Sequence, residues 1–509
     1  MRRAPALALL VAAPLTLAYL ILAPPAGDLA AATYRSDLFA RVGFTTWDTG
    51  WYAAHGHWLP AYSLFSPALG ALLGVRLLLA LSALAASLLF ALIAERVFNV
   101  AAARLAAGWF ALGICVSLLS GRVPYDLGFA IGLGAVLASI DGRWAWALGL
   151  AVLTSLASPV SGAFLALAAL ASGLGVVLSQ KGPTRARGLL TRPAWSLAAR
   201  ARVTSPGANN THGAGASDSH HETGARAVDR DALRCFALTG AAIAPILILT
   251  IAYPEGGYEP FASSAFWPAL AGVVLIAWLL PQGPLTTRAR MTIRIGAVMY
   301  ALALIAAYAI HTPMGGNAAR LGPLLAGPLL AGVLWESAPG ATNTAGTWRI
   351  RRPRALLAAM APALLYWQLA TPIRDYASIS GDASVNASYY APVLAELRVL
   401  TGGKPTIVEV PLTKAHWEAA YLAGHDGLKL ARGWERQLDT RYAAIFYRPT
   451  LSPATYRMWL LENKVRYVAL PDAPLDKAGQ LEGASIARGL PYLRELWHSE
   501  HWRVYRFIG

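Results

Sequence analysis

Long apolar runs separated by short polar breaks make up the first three quarters of the chain. They are Ala6–Leu22, Ala68–Ile93, Ala102–Leu119, Leu127–Ile140, Trp144–Leu156, Gly162–Leu178, Cys235–Ile251, Trp267–Leu280, Ile295–Ile310, Leu321–Leu334 and Ala355–Leu369. A bilayer's hydrocarbon core needs about 20 apolar residues per helix, so the pattern predicts about 11 transmembrane helices, some extended into their flanks or tilted. The first run follows Arg2 and Arg3 and reads as a retained helix rather than a cleaved signal, because further spans follow it. After Thr371 no apolar run is long enough to span. Helix-like Tyr389–Leu400, Pro453–Glu462 and Ile486–Leu493 there alternate with strand-like Thr406–Val410, Val465–Leu470 and His501–Phe507. The expected fold is membrane all-α over 1–370, with a water-soluble α/β domain over 371–509.

Composition agrees. Of 509 residues, 56% are hydrophobic and 14% charged, which excludes a disordered regulator and a disulfide-rich module. Cys115 and Cys235 both lie in apolar runs. The net charge of +16 would suggest nucleic acid on a soluble protein, but topology accounts for it. With the amino terminus inside, 21 of the 26 Lys/Arg before residue 371 fall on cytoplasmic loops, and only Arg35, Arg41, Arg76, Arg122 and Arg320 fall outside. An odd number of spans then puts the carboxy-terminal domain outside a plasma membrane, and no nucleic-acid partner is expected.

The loop 180–232 carries the polar, low-complexity tract Thr204–Glu222 and reads as disordered and cytoplasmic. His212, His220 and His221 offer a metal nothing else nearby.

Polar groups on the outer side are the informative ones. The first outer loop, 24–67, interleaves Trp47, Trp51, Tyr52, Trp58 and Tyr62 with Asp48, His55 and His57. Boundary aromatics are commonly belt residues, yet an acid between two tryptophans also suits a sugar site, where rings stack on the sugar and the carboxylate takes a hydroxyl proton. Arg122 and Asp126 pair as a helix-capping salt bridge or hold a lipid phosphate. His311, Asn317 and Arg320 flank glycines before a span, as a phosphate seat or as a snorkelling arginine. Glu255 and Glu259 sit in a Gly/Pro turn, and Ser158-Pro159 with Ser161-Gly162 form a tight hairpin turn or a broken helix. The run Arg432–Arg441 is a buried or docking polar network, or a solvated face. No GxGxxG, P-loop, HExxH or nucleophile elbow is present.

The stretch Trp47-Asp48-x-x-Trp51-Tyr52 resembles the WDxxWY element of bacterial PIG-V-type mannosyltransferase relatives. With the long first loop, the many spans and the outer domain, the whole chain resembles GT-C glycosyltransferases that use polyprenyl-phosphate sugars, and uncharacterised actinobacterial multi-pass proteins. The resemblance implies an external site where Asp48 is the catalytic base. Trp47, Trp51, Tyr52, His55, His57, Arg122, Asp126, His311, Asn317 and Arg320 are the candidate substrate-binding residues. It implies a polyprenyl-phosphate sugar held from the membrane lipid, and an envelope glycan, glycolipid or protein acceptor. No cofactor is expected. A divalent metal serves oligosaccharyltransferase-like members, but no DxD or ExD pair follows in an outer loop to supply ligands. The alternative is a non-catalytic or transport protein of envelope glycan assembly.

Overall fold

The computed structural model describes residues 3–60, 62–179, 217–254, 257–281, 286–342 and 348–509. Among these, nine helices are long and apolar enough to cross a membrane: Arg3–Leu22, Val75–Val97, Val100–Ser120, Val123–Ile140, Pro159–Ser179, Arg230–Ala252, Thr287–Ala309, Gly315–Glu336 and Pro353–Ile379. Two further apolar helices, Trp144–Ala157 and Ser263–Leu279, are shorter. Together they account for the eleven runs.

Small residues make the bundle. Ala8, Ala12, Ala83, Ala86, Ala103, Ala106, Ala107 and Ala111 are wholly enclosed, so backbones approach closely without help from the hydrophobic effect, as lipid-embedded helices require. Large apolar side chains face outward instead, among them Leu22, Trp146, Ile251 and Tyr366, each at least 70% exposed. A surface of that kind is stable only under lipid or protein. Close approach is literal at Gly327, where an added Cβ would stand 2.7 Å from the Trp109 ring.

Three expectations change. The Ala68–Ile93 run is divided: a helix over Ser66–Leu73 stops at Gly74, whose φ of 85° only glycine adopts cheaply, and the span begins at Val75. The tract expected to be disordered through residue 232 is helical from Ser217, because the Ser217–Ala252 helix continues the span backwards; His212 lies outside the described residues. Of the segment expected to be a helix over Ile486–Leu493, only Ile486 and Ala487 are helical. Asp476 caps a helix over Lys477–Ala487, accepting the Ala478 and Gly479 N–H groups. Gly489, at φ 88°, and Pro491 end that helix, and a strand starts at Leu493.

Beyond Ile379 lies a five-stranded sheet ordered Leu428–Leu430, Thr406–Glu409, Tyr467–Pro471, Trp502–Phe507, Leu493–His498. The first three strands run parallel and the last two antiparallel. Tyr456, Trp459, Leu460 and Ile486 pack against Val468 of the central strand. The outer edge at Leu428–Leu430 is not left open. Leu430 donates its N–H to the Gly50 carbonyl at 3.1 Å and accepts from the Ala53 N–H at 2.9 Å. The loop after the first span therefore covers the sheet edge, where unpaired backbone would otherwise face water.

Candidate active site

The first loop is partly helical. Gly27–Val42 is a helix, and Trp47–Asp48 then pairs antiparallel with His57–Trp58. Between these strands the Asp48 carboxylate organises its own turn. Oδ1 accepts the Gly50 N–H at 3.1 Å, while Oδ2 accepts the Trp51 N–H at 3.1 Å and the Tyr34 hydroxyl. Burial and the Asp48 charge push the Tyr34 hydroxyl far above its ordinary range, so it remains a donor. Both oxygens of Asp48 are thus engaged inside the turn.

The residues that follow it dock on the sheet domain. Trp51 is buried edge-on to Tyr34 at 4.7 Å and stacks on His57 at 5.9 Å. Gly433 is required beneath it, since a Cβ there would lie 1.9 Å from the indole. Tyr52 is enclosed and donates to the Glu435 carbonyl at 2.6 Å. His57 Nε2 lies 3.2 Å from the Glu435 carboxylate. His55 lies flat on Tyr442 with centroids 4.0 Å apart; burial lowers its pKa. Trp47 stays exposed, edge-on to Trp58 at 4.3 Å. The structure brings Trp51, Tyr52, His55 and His57 together on the segment Gly433–Tyr442, as an interdomain clasp.

That segment is itself a buried network, not a solvated face. Arg432 is fully enclosed, with Nε donating to Glu409 at 2.7 Å, a terminal nitrogen donating to Glu482, and Asp439 at 4.0 Å. Its guanidinium lies 3.9 Å over the Phe446 ring.

A second group of charges gathers where the bundle meets the loops. Arg122 Nε donates to Asp28 and a terminal nitrogen donates to Asp375, each at 3.2 Å. Arg320 approaches Asp28 at 3.9 Å and lies over the Tyr125 ring at 5.4 Å. Ser120 donates to Asp375 at 2.7 Å. Asp28, Arg122 and Arg320 are 31%, 22% and 23% exposed, so the group is reachable. Arg122 does not pair with Asp126, which is buried and accepts the Ser117 hydroxyl at 3.4 Å. The helix carrying Asp126 points its carboxylate into the bundle, whereas Arg122 precedes that helix and turns toward the loops.

The glycine loop is also rearranged. Gly315–Arg320 forms a 3-10 helix that runs into Leu321–Glu336, so Arg320 sits inside a continuous element and the open turn lies earlier. Asn317 gives its N–H to the Met314 carbonyl, and His311 is exposed with its ring 4.4 Å from Tyr258. Glu259 bonds this loop through its N–H to the Thr312 carbonyl at 3.1 Å. Burial raises its carboxyl, against the pull of Arg436 and Arg320. Glu255 lies outside the described residues. Among the described residues no group of three or more His, Cys, Asp or Glu is placed to hold a metal ion.

Asp28 and Asp375 are the members the sequence did not single out. Asp28 had one signal, an acid in the first helical turn directly after the first span. Asp375 had none, because it lies in the last turns of a helix remote in sequence.

No protein-family model and no curated protein matches the chain. Among solved structures it is similar to the Archaeoglobus fulgidus oligosaccharyltransferase in the apo form, with TM-score 0.48 and 12% identity over 91% of this chain and 69% of that one. The same enzyme tethered with an acceptor peptide gives 0.47 and 14% over 91% and 68%. Archaeal oligosaccharyltransferase AglB from Archaeoglobus fulgidus, in complex with an inhibitory peptide and a dolichol-phosphate, gives 0.44 and 13% over 88% and 66%. At these values the similarity assigns neither a family, a reaction nor residue roles.

Proposed function

We propose that this protein is a GT-C-like glycosyltransferase. It moves a sugar from a polyprenyl-phosphate donor to an envelope glycan, lipid or protein at the outer face of the plasma membrane. The observation that carries the reading is the convergence of Arg122 and Arg320 on the partly open carboxylate of Asp28. We assign the base to Asp28 rather than Asp48, because the Asp48 oxygens already accept three donors in their own turn.

In one displacement the acceptor hydroxyl oxygen attacks the anomeric carbon and its proton passes to Asp28. The bond from that carbon to the phosphate oxygen breaks, and polyprenyl phosphate leaves with the electron pair. Arg122 and Arg320 stabilise the charge that develops on the phosphate. Asp375 is a positioning residue that orients Arg122. A single attack inverts the anomeric centre, and one base suffices for it. The positive-inside bias puts this end of the bundle, with the domain over 371–509, outside.

A second reading rests on the same contacts. Arg122 is already satisfied by two carboxylates, as in a purely structural brace of a non-catalytic assembly protein.

Envelope glycolipid and polysaccharide profiles separate the two, taken from cells with no protein, wild type, Asp28→Asn or Asp48→Asn at matched membrane levels. The transferase reading expects deletion and Asp28→Asn to lose the same glycan residue while polyprenyl-phosphate sugar accumulates. Full restoration by Asp28→Asn would favour the brace.

A further inference from the structure

The sheet domain carries an open cleft of about 660 Å³ lined by Lys414, Arg436, Pro474, Asp476, Lys477 and Gln480. That is within the range of small-molecule sites, about 300–1,000 Å³, and far more than one inorganic anion needs. We propose that this cleft binds an anionic saccharide, a sugar bearing a carboxylate or a phosphate.

The charge balance points that way. Among the residues that line the cleft, Lys414, Arg436 and Lys477 are cations and Asp476 is the one carboxylate, and that carboxylate is committed. Asp476 Oδ1 accepts the Ala478 and Gly479 N–H groups at 2.6 and 3.2 Å, and Oδ2 meets His416 at 3.3 Å and Arg436 at 3.1 Å. Neither Lys414 nor Lys477 makes an ion pair among the described residues, so the surplus positive charge is unanswered. Pro474 supplies an apolar wall for the C–H face of a ring, and Gln480, whose amide nitrogen donates to the Leu475 carbonyl at 3.4 Å, completes the lining.

The cleft is preformed. The Lys414 N–H donates to the Pro474 carbonyl at 2.8 Å and the Asp476 N–H to the Leu412 carbonyl at 2.9 Å, bracing one wall on the other. His416 takes a left-handed φ of 56°, an uncommon conformation for a non-glycine residue, while meeting Asp476. The cleft's assignment as an acceptor subsite rests on the transferase reading; the binding itself does not.

Isothermal titration of full-length protein in detergent tests it, with digalacturonic acid, glucose 6-phosphate, inorganic phosphate and neutral cellobiose as probes. At least one charged sugar binds wild type and Asp28→Asn alike, and at least tenfold more weakly to K414E/K477E. Which one binds identifies the anionic group. Lys414 is exposed and Lys477 opens a helix, where glutamate is favoured, so the variant folds; K414Q/K477Q repeats the test without charge reversal. The proposal is overturned if no charged sugar binds or if cellobiose binds equally well. It is also overturned if inorganic phosphate matches glucose 6-phosphate, or if both double variants bind like wild type. Loss of transfer in Asp28→Asn with binding intact, or the converse, shows which of the two readings holds.

Discussion

The Tyr52 hydroxyl donates to the carbonyl of Glu435, 383 residues later, at 2.6 Å in a fully enclosed site. One side chain after the first span is thereby tied to the last domain. The surrounding contacts repeat the tie, from the Trp51–Gly433 packing to the His57–Glu435 pair. The segment that most resembles a catalytic motif in sequence serves, in the fold, to seat the sheet domain on the bundle.

Breaking that seat has a defined signature. Tyr52→Phe removes one enclosed hydrogen bond while the Glu435 carbonyl keeps the Leu438 and Asp439 N–H donors, a loss of about 0.5–1.5 kcal/mol. Gly433→Ala drives a methyl into the Trp51 ring and costs about 1–3 kcal/mol. Hydrogen exchange should quicken in residues 47–58 and 428–442 together, while the helices of the bundle keep their protection. Quickening confined to one of the two segments would contradict the clasp.

The two candidate acids should separate in activity and stability. Asp28→Asn is expected to lower transfer about 10²–10⁴-fold, the usual contribution of a general base, with little effect on folding because its ion pairs are partly exposed. Asp48→Asn turns a donor amide toward groups that are themselves donors, so it should lower the melting temperature first. Transfer assays on purified protein beside thermal melts resolve this, and equal transfer by Asp28→Asn and wild type would remove Asp28 from the chemistry.

Three carboxyls around one guanidinium make the sheet domain sensitive to pH. Burial raises Glu409, Glu482 and Asp439 above their ordinary range, against the opposing charge of Arg432. The unfolded chain releases these protons near about pH 4, the folded domain only at higher pH. Their contribution is therefore fully present below the ordinary carboxylate range and is lost as pH rises through the folded values. Stability of the domain should fall on going from acid toward neutral pH, and Glu409→Gln, which keeps an acceptor for Arg432, should flatten that slope. Melting curves from pH 4 to 8 check it; an unchanged slope in the variant would exclude Glu409 as a source.

Topology is open to direct labelling. In a chain with both buried cysteines, Cys115 and Cys235, replaced by alanine, K414C should react with an impermeant maleimide added to intact cells. R143C, at the opposite end of the bundle by the positive-inside count, should react only after permeabilisation. The reverse pattern would invert the assigned orientation and place the Asp28 group inside.

Much of this was legible in the chain. Span positions follow from apolar run length, because lipid demands it of any helix that crosses. In the sheet domain, local patterning located the Pro453–Glu462 helix and the Thr406–Glu409 and Trp502–Phe507 strands. What the sequence by itself determined was where the apolar helices lie, several helices and strands of the sheet domain, and which polar residues stand near one end of the bundle. Only the tertiary structure decided which of those polar residues meet. Asp48 closes its own turn, while Asp28, Arg122, Arg320 and Asp375, up to 347 positions apart by their numbers, share one site. Apolar periodicity is a local property that every window of sequence carries, but an ion pair depends on where packing sets the ends of distant helices, and no local window records that.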